Sequence, residues 1–427
     1  MFRRPHPEVD VPRQHPPEGV PRAGGPQARP RSAAAGFTSL VALAAMSLVA
    51  GPATAEPLAG PCALERTSAH HSEGLDNWNS SYPKPVQTLD AVMVFLSFPD
   101  AIPMTTPEEL TADYFPTTSR FFERASYGRF ALRPHPQREW IEMPQASMSY
   151  EIERDWDAGH RTAYLRDAMR VSDAAVDFSK YDIVYFVADP DAPGVDSDAT
   201  KVVNFDKPLK ADGVDVRRIV TVFEQHPPDR NVLAHETGHV FDLPDLYHRP
   251  SDGKGDWDTY VGDWDVMGSQ FGLAPDLFGW HKWKLGWLEE PQVHCVQGKG
   301  DSLVTLEPLG GKVQPGQSGG TRLAVVRTGR GSAIAIEARG SAGNDGATCT
   351  EGVLIYRVRN ETASGGGPVE VVDAHPHSEA CWNESVYPPL ADAPVRVGES
   401  FSVPGEKVRV QVVDRSKSGA WTVKITT

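Results

Sequence analysis

The hydrophobic and polar positions divide the chain into two textures that meet near residue 290. In the first, Ala91-Val92-Met93-Val94-Phe95-Leu96 is apolar without a break, as expected of a strand covered on both faces. Residues 181–188 and 219–223 carry runs of the same kind. Residues 117–127, rich in Phe and Tyr, and residues 161–171 read as helices. Strands and helices therefore alternate, which predicts a sheet with helices packed on it. Trp280, Trp283 and Trp287 recur at i, i+3 and i+7, the spacing of a buried helix face rather than of an aromatic platform for substrate. Beyond residue 290 the runs shorten to strand length, at residues 302–306, 323–327, 333–337, 353–358, 408–413 and 421–425. Gly310-Gly311, Gly319-Gly320 and Gly365-Gly366-Gly367 separate them, and this pattern predicts a β-sandwich. The expected class is α+β, a mixed sheet with packed helices over residues 86–290 followed by a β-sandwich over residues 291–427.

Within the first texture stands His235-Glu236-Thr237-Gly238-His239. Residues four apart on an α-helix lie on one face, so both imidazoles reach one ion while Glu236 projects about 100° away. Pro227-Pro228 breaks the chain beforehand, Asp229 is placed to cap a helix, and no proline interrupts residues 231–241. Val232, Leu233, Val240 and Phe241 flank the histidines and predict a buried helix, the rigid support that a metal site needs. The bland alternative is a surface helix that happens to carry these residue types. Two neutral nitrogens, a third protein ligand and an open position are the inventory of a zinc hydrolase, most often a protease.

Downstream, Asp245 follows the turn that Pro244 imposes and is a candidate third ligand; Asp242, at the helix end, competes with it. No Glu occurs between Val240 and Leu288, so a zinc site closed by a distant Glu would need an unusually remote residue. Val261-Gly262-Asp263-Trp264-Asp265-Val266-Met267-Gly268 then offers Met267 in a tight turn, as in the metzincin class of zinc proteases.

Three stretches carry a family likeness: residues 235–247, Gly262-Asp263-Trp264-Asp265-Val266-Met267-Gly268, and Trp283-Lys284-Leu285-Gly286-Trp287. Together with Phe121-Phe122-Glu123-Arg124-Ala125-Ser126-Tyr127-Gly128, the chain resembles the immune inhibitor A family of secreted bacterial metalloproteases. The resemblance covers roughly residues 89–288 and runs more faintly to about residue 359. It implies a metzincin-like catalytic domain with His235, His239 and Asp245 as zinc ligands, Glu236 as general base and Met267 as the Met-turn. One position departs: where the family usually has Gly, this chain has Asp242. Asp tolerates left-handed backbone better than most residues, so the turn is expected to survive.

The remaining features concern setting. Residues 37–50 are apolar, follow Arg29 and Arg31, and precede Ala53-Thr54-Ala55. This reads as a secretory signal over residues 1–55 with an extended N-region, too short an apolar run to span a bilayer of about 20 residues. Residues 56–85 form an N-terminal segment, short for a propeptide. With 57 acidic against 42 basic residues, nucleic acid and anionic membrane are poor partners. A secreted, monomeric protein acting on a protein or peptide substrate is expected. The four cysteines suit two disulfides in an exported chain. Three connectivities exist, and Cys349–Cys381 with Cys62–Cys295 is the expected one. Asp252, Asp256, Asp258, Asp263 and Asp265 crowd a Gly-containing loop. Of these, Asp252, Asp256 and Asp258 are candidate calcium ligands beside the zinc. Tyr260 is a candidate oxyanion donor. The rivals to an endopeptidase are a zinc hydrolase of another amide or a cell-wall peptide, and a secreted binding protein with an inactive zinc site.

Overall fold

The computed structural model describes residues 60–250, 254–311 and 319–427, apart from the side chain of Asp206. The expected signal segment and the candidate calcium ligand Asp252 lie outside them. Over the described residues the protein is α+β, with three sheets and few helices.

The first sheet has five strands in the order β2-β1-β3-β5-β4. They are β1 (Gln87–Ser97), β2 (Phe130–Glu142), β3 (Ile183–Ala188), β4 (Lys201–Ala211) and β5 (Val214–Val222). All neighbours run parallel except the edge strand β4, which is antiparallel to β5. Alternate residues of β1 enter two different cores: Ala91, Met93 and Phe95 one, Val92, Val94 and Leu96 the other. A strand covered on both faces has no polar side to show, which explains the unbroken apolar run. On the face of Met93 and Phe95 pack α1 (Pro107–Tyr114), α2 (Thr117–Ala125) and α4 (Val232–Val240); α3 (Ala158–Ser172) covers the opposite face.

Two strands escape the hydrophobic pattern, β2 with Pro134 and Pro136 and β4 with Pro208. Both are edge strands, where a missing N–H costs no ladder hydrogen bond. The tryptophan helix is shorter than expected. It is α5 (Gly279–Lys284), and Gly286 at φ +78° ends it before Trp287. Trp280 and Trp287 are nevertheless buried and Trp283 half-buried.

After residue 290 come β6 (Val293–Val296), β7 (Asp301–Leu306), β8 (Leu323–Arg327), β9 (Ser332–Arg339), β10 (Gly352–Arg359), β11 (Val369–Val371), β12 (Ser400–Ser402), β13 (Arg409–Arg415) and β14 (Trp421–Thr426). They build sheets ordered β11-β10-β9-β8-β6 and β12-β13-β14-β7. Ile334, Ile336, Val410, Val412, Val423 and Ile425 share one core between these sheets. The other face of the five-stranded sheet, through Ala335, Leu354 and Tyr356, joins the core that holds α4. Apolar packing is therefore continuous across residue 290. At that junction Arg339, fully buried, donates to Asp345 Oδ2 (2.8 Å), Glu337 Oε1 (3.0 Å) and the carbonyls of Trp264, Ala274 and Asp276.

Both expected disulfides are present, Cys62–Cys295 and Cys349–Cys381, and they suit an oxidising compartment. Among the described residues no helix is long and apolar enough to cross a membrane.

Candidate metal centre

Helix α4 is buried along its whole length. Its first residue follows Asn231, which takes left-handed backbone at φ 60° and makes no side-chain cap. Asp229 is therefore not the cap; its carboxylate accepts from Gln270 Nε2 at 3.3 Å. At the other end Asp242 has φ 64°, and the Leu243 N–H reaches back to the Gly238 carbonyl at 3.1 Å. This is the left-handed helix stop that usually takes glycine, so the sharp turn is kept with Asp in its place.

That turn swings Asp245 back over the helix. Its Oδ1 lies 3.0 Å from His239 Nε2 and 3.3 Å from His235 Nε2, and the two nitrogens are 3.2 Å apart. The Nδ1 atoms face carbonyls instead, His235 that of Val266 and His239 that of Leu243, each at 2.8 Å. A carbonyl only accepts, so each Nδ1 carries the proton and each neutral ring turns a lone pair inward. Asp245 Oδ1 is buried with no hydrogen-bond donor. Three electron-pair donors thus converge, all within 4.8 Å of one another, an arrangement fitted to a shared cation. The donor set of two imidazoles and one carboxylate suits a zinc ion with a position left open. Among the described residues this is the one group of His, Cys, Asp and Glu side chains placed to share an ion.

Glu236 sits one position along the helix with Oε2 accepting the Val202 N–H of edge strand β4 at 3.0 Å. Burial pushes its carboxyl up to about 8. Met267 lies under the helix, against Gly238, where a Cβ would meet its sulfur. Its turn is held by Asp265 Oδ1, which accepts the Met267 N–H at 2.8 Å, and by the Leu246 N–H donating to the Met267 carbonyl at 2.9 Å.

Asp242 does not reach the histidine pair. Its carboxylate meets Arg66, accepts from His71 Nδ1 at 2.9 Å, and is wholly buried. Burial lowers His71 to about 3, so the imidazole is a neutral donor. Asp242 stays ionised, held far down against burial by Lys284 first, then by His71 and Arg66. Asp256 is engaged with the Asp258 N–H at 3.1 Å. Asp263 accepts from Ser385 Oγ and from the N–H groups of Leu273 and Val386, both at 3.1 Å. Tyr260 packs its ring on Gly367, 3.0 Å from a Cβ placed there, and edge-on to His248 at 5.2 Å.

Sequence reasoning missed the N-terminal segment's role. Arg66 and His71 fix Asp242. Glu73, buried, meets His281 Nε2 at 2.9 Å, and His281 Nδ1 meets Asp265 Oδ2 at 3.0 Å. Lys284 Nζ donates to the carbonyls of Ser72 (2.8 Å) and Asp242 (2.6 Å). It also missed Ser364, whose hydroxyl donates to Asp245 Oδ2 at 3.0 Å. No local pattern announces any of these.

No family model matches the chain, and no curated protein matches it. Two solved structures, crystal forms of wild-type OgpA from Akkermansia muciniphila, are similar at low level. One is 11% identical with a TM-score of 0.26, covering 70% of this chain and 94% of that one. The other is 12% identical with a TM-score of 0.28, covering 82% and 95%.

Proposed function

We propose that this protein is a secreted zinc-dependent endopeptidase of the metzincin kind, similar to immune inhibitor A, with its last nine strands forming a β-sandwich behind the catalytic half. The observation that carries the reading is the convergence of His235 Nε2, His239 Nε2 and Asp245 Oδ1, with Glu236 beside them and Met267 beneath.

His235, His239 and Asp245 would hold the ion. Bound there, zinc supplies Lewis acidity toward a water and a scissile carbonyl. The rest falls to the chain. The Val202 N–H and the enclosing helix orient the Glu236 carboxylate. Glu236 takes the proton of the attacking water and passes it to the leaving nitrogen. The Val266 and Leu243 carbonyls keep both imidazoles in one tautomer and one orientation.

Purified protein assayed for zinc by mass spectrometry, and for cleavage of casein or a peptide library with and without a chelator, tests the reading. The expected result is about one zinc per chain and chelator-sensitive cleavage. Glu236→Gln is expected to retain zinc while losing at least about 10²-fold in kcat, and His239→Ala to lose the metal. Zinc retention with unchanged turnover in Glu236→Gln would falsify the base assignment. Zinc binding without any peptide cleavage would favour the binding-protein alternative.

A further inference from the structure

From the half of the chain after residue 290, the loop between β10 and β11 reaches Asp245. There Ser364 makes two hydrogen bonds to a single residue. Its Oγ accepts the Asp245 N–H at 2.8 Å and donates to Asp245 Oδ2 at 3.0 Å. The adjacent Gly365 N–H donates to the Asp245 carbonyl at 2.9 Å. Backbone donor, backbone acceptor and one carboxylate oxygen of Asp245 are thereby all engaged from one short stretch. The other oxygen, Oδ1, is left buried, without a hydrogen-bond donor, and turned to the two imidazoles.

The loop is itself held in place. The Asn360 carbonyl accepts from Thr67 Oγ1 (2.6 Å) and Ser72 Oγ (2.9 Å) of the N-terminal segment. Gly367, at φ +80°, lies flat on the Tyr260 ring, and the Val371 N–H donates to the Tyr260 carbonyl at 2.8 Å.

We infer that Ser364 is a positioning residue for the third zinc ligand, and that the C-terminal half is part of the metal centre rather than a brace behind it. The inference rests on the zinc reading above. A carboxylate free to rotate presents either oxygen or both. With Oδ2 committed to the Ser364 hydroxyl, Asp245 offers Oδ1 alone, and the angle of approach is set before the ion arrives. Partners of this kind, one shell removed from a metal, typically change affinity 10- to 100-fold when removed.

The test compares Ser364→Thr with Ser364→Val, which share a shape and differ in the hydroxyl, alongside Ser364→Ala. Zinc affinity of the full chain is read by competition with a chromophoric chelator, the visible spectrum of the cobalt-substituted protein reports ligand geometry, and the melting temperature of the metal-stripped protein reports folding. Ser364→Thr is expected to bind near the wild-type level. Val and Ala are expected to bind about 10- to 100-fold more weakly, with an altered cobalt spectrum and a metal-free melting temperature close to wild type. Equal affinity across all three variants overturns the inference. Loss in Thr and Val alike, with Ala unchanged, also overturns it, because volume and not the hydroxyl then matters. If the wild-type chain binds no zinc, the functional reading itself fails, a result distinct from either.

Discussion

Gly238 lies between the two histidines of the motif, and its missing side chain leaves room for the Met267 sulfur. Alanine in a helix interior ordinarily stabilises relative to glycine by about 1 kcal/mol. Here the sign reverses, because a Cβ must displace a fully buried methionine. Gly238→Ala is expected to destabilise by about 1–3 kcal/mol, as overpacked cores do. Combining it with Met267→Ala should recover part of that loss in a double-mutant cycle followed by chemical denaturation. A stabilised single variant would show that the helix and the turn do not bear on each other. The histidine and glutamate positions were legible in the sequence because their relation is helical and local. Ser364 and Glu73 were not, since they meet their partners across 119 and 208 residues. A hydroxyl or a carboxylate carries no mark of so distant a contact.

At the scale of elements, the decisive feature is how α4 stops. Asp242 holds a left-handed backbone, pairs with Arg66 and accepts from His71. The two roles separate by substitution. Asp242→Gly keeps the turn and loses the ion pair; Asp242→Ala loses both. Both are expected to destabilise by about 3–5 kcal/mol through the stranded partners, with Ala worse than Gly by about 1–2 kcal/mol from the left-handed strain. On the proposed zinc reading the Gly variant is expected to bind zinc as the wild type does, since Asp245 and not Asp242 faces the imidazoles. Loss of zinc from Asp242→Gly, with retention in Asp245→Ala, would reverse the ligand assignment. The central strands and α2 to α4 could be read from periodicity because burial on both faces leaves long apolar runs. The edge strands β2 and β4 could not, because an edge admits proline and polar residues. Yet β4 supplies the amide that orients Glu236, so a strand invisible to the pattern carries part of the site.

Across the whole molecule, buried charge ties distant segments together. His281 stands between Glu73 of the N-terminal segment and Asp265 of the Met267 turn. Burial opposes its charge, but the two carboxylates hold the imidazolium up to about 9. A raised folded-state value means that its stabilisation is fully present below about 6.5 and is lost as pH climbs through about 9. The shift corresponds to about 3 kcal/mol at most. Urea midpoints measured from pH 6 to pH 10 are expected to fall more steeply for wild type than for His281→Asn. Parallel curves would mean that the group titrates alike folded and unfolded. The buried Arg339 acts likewise across the residue 290 boundary, where the apolar core is continuous.

The loop carrying Ser364 also bears on when the site comes into being. Translation delivers His235, Glu236 and His239 long before the residues that lock Asp245. A nascent chain that has passed Asp245 but not reached Gly365 lacks the hydroxyl and the amide that hold that residue. If the centre holds a metal as proposed, the order of synthesis places the group that fixes its carboxylate 119 residues behind the carboxylate itself.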